Sequence, residues 1–318
     1  MDVTIIGAGL IGSAIAWRLA QAGHVVTLTD AGAFGGECSS AGAGMLTPGG
    51  EFEEPSHWLD LGVESMRLYP DFVAELASES GLSIDFAQCG CLNFADGESR
   101  GRRAELQSRA GIAVELRPDM LFYPRDGFVD PTHLLRALRR VCETRGVRIL
   151  EDRPVAQIDA GESGAVVIAA GAWSSRIRVL HGGFPLELPP VEPVKGHLVG
   201  FDLEPGSLGA MRRRGHTYVL QRSSGFTIAG STEEHAGFDR DVNPAACAEI
   251  HRQAAALWPT LESLSPRACW IGFRPFSTDG PHIRRVEGSN VWLAYGHFRN
   301  GILLAPLTAA RIAAEIMG

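Results

Sequence analysis

A mixed α/β fold, in which a parallel βαβ sheet is interleaved along the chain with an antiparallel sheet, is the architecture this sequence predicts. Three observations carry it. A β-branched run at 3–6 leads through Gly7-Ala8-Gly9-Leu10-Ile11-Gly12 into a helical pattern, then into a second strand that ends at Asp30. Strand signals suited to the same sheet recur at 147–150, 165–169 and 291–294. From 191 to 273 the texture changes to strand-like stretches separated by turns, the pattern of antiparallel sheet.

In chain order, residues 10–22 read as a helix, with Ile11, Ile15 and Leu19 at four-residue spacing, and 24–29 as the second strand. In such a Rossmann-like unit Gly7 permits the tight turn and Gly9 lets the backbone approach a pyrophosphate. Gly12 lets helix and strand pack closely, and the helix N-terminus faces the phosphates. Asp30 lies 18 residues past Gly12, placed to accept both ribose hydroxyls of an adenosine. No Arg or Lys directly follows Asp30 to balance a 2′-phosphate, so the ligand is FAD or NAD rather than NADP.

The Gly-, Ala- and Ser-rich stretch 32–50 reads as backbone lying along an elongated cofactor. Residues 58–81 read as helix, 91–94 and 112–115 as strands, and 122–128 as short strands joined by a turn at Arg125-Asp126-Gly127. Asp130-Pro131-Thr132 starts a helix to about 145, with an N-cap acid, proline in the first turn and Leu134, Leu135, Leu138 and Val141 along one face. Strands at 196–201, 217–221 and 226–229 precede a covering helix at 245–257. A last strand leads into Gly296-His297-Phe298-Arg299-Asn300-Gly301 and a C-terminal helix. The expected division is a nucleotide-binding domain of 1–85, 129–188 and 279–318, and a substrate domain of 86–128 and 189–278.

Composition narrows the function. The 318 residues carry 29 Lys plus Arg against 37 Asp plus Glu, a formal charge of −8, so no broad positive field exists for nucleic acid or an anionic membrane. The basic runs at 100–103 and 212–214 are short and read as solvated faces. Six cysteines at 38, 89, 91, 142, 247 and 269 form no C-x-x-C, so no metal site is expected and the thiols read as buried or incidental in a reducing compartment. The apolar opening has Asp2 as its only early charge and contains three glycines, unlike a signal peptide, and no other segment reads as a membrane span. A cytoplasmic location is expected.

Further residues carry a resemblance. Gly7 to Gly12 with Asp30, Ser40-Ala41-Gly42-Ala43-Gly44-Met45-Leu46, Ala169-Ala170-Gly171-Ala172-Trp173-Ser174, Gly272-Phe273-Arg274-Pro275 and Asp279-Gly280 together resemble the D-amino-acid oxidase superfamily of FAD-dependent oxidoreductases. The closing Gly296-His297-Phe298-Arg299-Asn300-Gly301-Ile302-Leu303-Leu304-Ala305-Pro306 is similar to its glycine oxidases, including the thiazole-forming enzyme of thiamine biosynthesis.

The resemblance implies non-covalent FAD and oxidation of a small amino acid (glycine, sarcosine or a short D-amino acid) by hydride transfer from the α-carbon to flavin N5. An imine results, and O2 reoxidises the flavin to give hydrogen peroxide. Partners are then the amino acid and O2, with homo-oligomerisation left open. By the same resemblance Arg274 clamps the substrate carboxylate, Tyr218 assists it, His216 stands beside Tyr218, and Arg299 is a second arginine near flavin and substrate. His297, Phe298, Arg299, Asn300, Gly301, Ile302 and Leu303 would line the flavin, with Cys38, Ser39, Ala43, Gly44 and Met45 along its ribityl and ring side. Val155 matches the adenine end; Leu10, Ile11, Ala31, Ala170, Gly171 and Trp173 complete the cofactor set. The chain departs from the family at Gln221, where a proline usually precedes the arginine, at Arg284-Arg285, where a glycine is expected, and in a shortened 153–165 stretch. A dehydrogenase passing electrons to a quinone or partner protein, and a non-catalytic FAD-holding subunit, are alternatives on the same fold.

Overall fold

In the computed structural model, which describes residues 1–51, 56–95, 97, 99–162 and 164–318, the opening strand is Asp2–Ile6. It pairs in parallel with Val25–Thr29 on one side and Ala165–Ile168 on the other. Arg148–Leu150 and Val291–Tyr295 extend the sheet in parallel, and His282–Arg285 closes one edge antiparallel, making six strands. Ala165–Ile168 and Val291–Tyr295 are buried at every position, because both faces of the sheet are covered.

Side-chain alternation sends Ile5, Val167 and Trp292 to one face and Ile6, Val166 and Leu293 to the other. The first face carries the helices Leu10–Gln21, His57–Ser80, Pro131–Thr144 and Gly301–Met317, packed around Trp17, Tyr69 and Phe72. A three-stranded sheet of Gln157–Asp159, Arg178–His181 and Phe184–Leu186 packs on the second face. Local chemistry sets the helix starts. Asp130 accepts the Thr132 N–H at 2.8 Å with Pro131 following, and Asn243 accepts the Ala245 N–H at 2.9 Å with Pro244 following.

The second large sheet has eight strands, ordered Ala268–Phe276, Glu192–Asp202, Phe226–Gly230, Thr217–Gln221, Met211–Arg214, Cys91–Asn93, Leu121–Tyr123 and Glu115–Leu116. Helix Pro244–Leu257 covers it over Val199, Phe201 and Ala229. Strands of the two large sheets alternate along the chain.

Several expectations need correction. The two short strands joined by a turn at Arg125 are present, but they do not pair with each other. Leu121–Tyr123 joins the eight-stranded sheet, whereas Gly127–Val129 pairs with Met45–Leu46 and Phe86–Ala87 in a separate three-stranded sheet. The strand expected at 112–115 is confined to Glu115–Leu116. The basic runs are solvated only in part: Arg102 and Arg214 are exposed, but each run also buries one arginine. Arg103 lies buried on helix Arg100–Arg109 and donates to the Gly49 carbonyl at 2.9 Å, while buried Arg213 pairs with Glu51 at 2.5 Å. Carbonyl and carboxylate partners make burial of a guanidinium tolerable, and such partners are invisible in a local charge run. One helical segment, Phe298–Met317, is long and apolar enough to match a membrane span by composition, at mean hydropathy 1.2. Within the fold 61% of it is buried, its apolar surface spent against the neighbouring helices.

The departures from family pattern find structural roles. Gln221 donates to the Glu204 carbonyl, Ser207 Oγ and Thr227 Oγ1, each at 3.1 Å, tying down a surface loop. Arg285 donates to the Ser289 carbonyl at 2.6 Å and lies over the Trp292 ring. In the short 153–165 stretch, Gln157–Asp159 remains a strand and pairs in parallel with Arg178–His181, which in turn pairs with Phe184–Leu186.

Candidate active site

A cavity of about 740 Å³ runs from Asp30 and Val155 to Arg274 and Tyr218, bounded on one side by residues of the six-stranded sheet and on the other by the eight-stranded sheet. At its first end the glycine turn follows Asp2–Ile6. Gly7 has φ +111°, and a Cβ there would lie 2.3 Å from the Ala169 carbonyl oxygen, so only glycine fits. A Cβ at Gly12 would lie 1.9 Å from the Gly7 oxygen; Gly12 packs helix on strand and does not line the cavity. Asp30 ends the second strand. Its Oδ2 accepts the Ala8 N–H at 2.7 Å and its Oδ1 the Gly32 N–H at 2.9 Å, which leaves lone pairs on both oxygens for a diol. Burial raises the Asp30 carboxyl above its ordinary value, opposed by those backbone N–H groups.

The 32–50 stretch is more ordered than a loop, with helical turns Cys38–Ala41 and Pro48–Glu51 around the short strand Met45–Leu46. Cys38, Ser39, Ala43, Gly44 and Met45 all line the cavity, and Ser39 Oγ accepts the Leu10 N–H at 2.9 Å. At Gly44, φ +85°, a Cβ would lie 1.9 Å from the Val129 carbonyl oxygen. Buried Arg222 fixes this segment by donating to the carbonyls of Val129 and Ala43.

Leu10, Ile11, Ala31, Ala170, Gly171, Trp173, His297, Phe298, Asn300, Gly301 and Ile302 line the cavity. Leu303 does not: it is 2% exposed in the helical core, because its position on the helix turns it away from the cavity. Helix Gly301–Met317 begins at the cavity with no side-chain cap, so its first N–H groups and positive dipole end remain available. At Gly301 a Cβ would find no protein atom nearer than 3.8 Å, and at Gly171 none within 4 Å. Gly301, at φ −56°, is kept bare although the protein itself leaves room, whereas Gly171, at φ +53°, is glycine for its left-handed backbone. The ribose acid, the glycine turn and this uncapped helix end fit a flavin dinucleotide: Asp30 could hold the ribose, the turn at Gly9 to Ile11 the pyrophosphate, and Gly301 and Ile302 the ring system.

At the far end lies a polar cluster. Arg274, on Ala268–Phe276, donates through Nη2 to Ser231 Oγ at 2.7 Å and through Nη1 to the Thr232 carbonyl at 3.0 Å. The facing strand carries Gly196 because a Cβ there would fall 2.2 Å from Arg274 Nη1. Burial, then the positive charge of Arg299, lowers the Arg274 pKa, while the Tyr218 hydroxyl is pushed up by burial. Arg299 donates from Nε to Glu51 Oε2 at 3.2 Å and from Nη1 to His216 Nδ1 at 2.8 Å, which makes Nδ1 the acceptor. His216 is exposed and stands outside the cavity lining, touching the site only through Arg299. Among the described residues no cluster of three or more metal-ligating side chains occurs.

Glu51, Ser231 and Thr232 are site residues that the sequence reading missed. Glu51 lines the cavity between two guanidiniums, Arg213 at 2.5 Å and Arg299 at 3.2 Å. Burial pushes its carboxyl up, but Arg213 first and Arg299 second overcome this and hold it at about 2. No local pattern marks Glu51. Its partners lie 162 and 248 residues away in the chain.

Comparison with known proteins agrees with this geometry. The glycine oxidase of Bacillus licheniformis is 32% identical, the match covering 100% of this chain and 93% of that protein. The bifunctional protein ThiO/ThiG of Synechocystis is 33% identical over 99% of this chain and 51% of its own length. The crystal structure of glycine oxidase from Geobacillus kaustophilus superposes with a TM-score of 0.90 at 29% identity, covering 99% of this chain and 94% of that one. The model of the FAD dependent oxidoreductase family matches residues 2–316, and with a cavity that joins the glycine turn and Asp30 to Arg274, the chain belongs to that family.

Proposed function

We propose that this FAD-dependent enzyme oxidises the α-carbon of a small amino acid, such as glycine, sarcosine or a short D-amino acid, and passes the electrons to O2. One observation carries the reading. Arg274, a guanidinium at the flavin end of the cavity, gives one bond each to Ser231 and Thr232 and keeps its remaining donors for a ligand. A planar guanidinium matches a carboxylate by two parallel charge-assisted bonds, which orients the substrate as well as binding it.

Bound FAD supplies the two-electron acceptor. The protein's part is placement and electrostatics. Arg274 holds the carboxylate and Tyr218 borders the same space. The N-terminus of Gly301–Met317 presents its dipole to negative charge developing on the ring. Glu51 offsets the charge of Arg299, so the second guanidinium does not compete with Arg274 for the carboxylate. The likeness to glycine oxidases over the whole chain supports the substrate class. FAD is held without a covalent bond in this reading, since Cys38, the cysteine lining the cavity, has its thiol pushed up by burial and is not a ready nucleophile. We propose the cofactor domain as 1–85, 129–188 and 279–318, with the remainder binding substrate.

The test is a visible spectrum of the purified protein before and after anaerobic glycine, followed by air. Bleaching of the flavin bands and rapid recovery with peroxide release are expected across glycine, sarcosine and D-alanine. Activity confined to L-amino acids, or no bleaching with any amino acid, overturns the proposal.

A further inference from the structure

The seat of the Arg274 guanidinium is itself built, from the cavity residue Ser231 and from residues behind it that do not line the cavity. Ser231 and Thr232 follow strand Phe226–Gly230, in a segment that joins the sheet only through the bridge between Lys195 and Glu234. With so few ladder bonds, side chains must fix where the Thr232 carbonyl points. His197 does most of this. Its backbone N–H donates to Thr232 Oγ1 at 2.8 Å, and its Nε2 accepts the Asn243 N–H at 2.9 Å. That leaves the ring proton of the neutral imidazole on Nδ1, 2.7 Å from Glu234 Oε1. The Thr232 hydroxyl donates to the same Glu234 oxygen at 2.5 Å.

His197 is fully buried, on the strand that passes directly beneath Arg274 at Gly196. On the other side of Gly196, Lys195 exchanges two backbone hydrogen bonds with Glu234, both 2.9 Å, and its Nζ reaches Asp239 Oδ2 at 2.6 Å. Strand Glu192–Asp202 therefore grips the loop on both sides of the guanidinium. Glu234 is the knot: one carboxylate oxygen takes both the imidazole proton and the threonine hydroxyl.

We infer that His197 and Glu234 are positioning residues for the Arg274 clamp, setting its aim through Thr232. The inference rests on the reading of Arg274 as the carboxylate ligand. A bidentate carboxylate bond depends on position to a fraction of an ångström, so loosening the seat weakens binding without removing the charge.

Binding of acetate to the FAD-loaded enzyme, followed by the flavin spectrum, and KM for glycine test it. Glu234→Leu, which removes the accepting oxygen at a partly exposed position, should weaken acetate and raise KM on the order of tenfold with a smaller effect on kcat. His197→Gln should do the same, whereas His197→Asn, which keeps an N–H near Nδ1, should recover most of the affinity. In an Arg274→Lys background, where a weaker site remains, Glu234→Leu should add almost nothing, because the seat then has no fork to aim. Parental acetate affinity in Glu234→Leu, or a tenfold loss that persists beside Lys at 274, overturns the inference. Should acetate bind Arg274→Ala as it binds the parent, the clamp reading itself falls and the positioning role with it. Weak binding by Arg274→Ala beside normal binding by Glu234→Leu sinks the positioning role alone.

Discussion

Arg274 and Glu51 show how single charges are managed in this site. Arg274→Ala removes two charge-assisted bonds to the substrate carboxylate, together worth about 3 kcal/mol in a dehydrated pocket. That corresponds to roughly a 100-fold loss in kcat/KM for amino acids. An amine without the carboxylate should lose far less, and steady-state kinetics on the pair checks it; equal losses would mark Arg274 as structural. Glu51 is different in kind. It is a buried anion shared by Arg213 and Arg299, and neutralising it leaves two guanidiniums facing each other. Glu51→Gln should destabilise the fold by about 3 kcal/mol, read from denaturant unfolding. Removing Arg213 as well, in Glu51→Gln/Arg213→Met, should restore part of that loss. If the double variant is weaker than the single one, the two residues are not one electrostatic unit.

At the scale of elements, the helix Gly301–Met317 joins core and cofactor. Its apolar length packs on Leu10–Gln21 and His57–Ser80, and its first turn, entered through Phe298 at φ +48°, opens on the cavity. A Cβ at 301 would meet no protein atom closer than 3.8 Å. If the ring lies against this turn as proposed, a small side chain there would collide with the flavin rather than with the protein. Gly301→Val should therefore fold normally yet bind FAD about tenfold more weakly, an overpacking cost of 1–3 kcal/mol falling on the complex alone. Fluorescence titration of apoprotein with FAD measures this. Unchanged affinity would show that the ring lies elsewhere.

For the molecule as a whole, His297 links strand, cavity and helix, with Nε2 3.0 Å from Thr308 Oγ1. Burial, then the neighbouring His282, lowers its pKa from 6.5 to about 3. The unfolded chain takes up a proton at this residue below about 6.5, and the folded protein refuses it until about 3. Folding stability is therefore full above the unfolded value and declines as pH falls through that window. Glu51, held at about 2 against an ordinary 4.5, adds a second decline that starts only below 4.5. The melting temperature of the holoenzyme should fall between pH 6.5 and 4.5, and His297→Gln should flatten that segment. A parallel curve for parent and variant would assign the decline to other groups.

The nucleotide half of the fold was legible because its signals are local. A glycine turn, a helix period and a strand-ending acid lie within thirty residues, and backbone sterics at Gly7 and Gly12 admit no other residue. The helix starts at Asp130 and Asn243 are equally local, each a cap and a proline. By itself the sequence determined the parallel βαβ unit and the antiparallel change of texture. Through resemblance it pointed to Arg274, Tyr218 and Arg299 as candidates, which the fold gathers at one end of the cavity. What only the tertiary structure decided is where buried charge is balanced. Glu51 meets Arg213 and Arg299, Arg103 meets the Gly49 carbonyl, and His197 meets Glu234, all across long stretches of chain. A charged residue and its distant partner carry no periodicity, so a run such as Arg212-Arg213-Arg214 looks solvated until the fold brings a carboxylate to it.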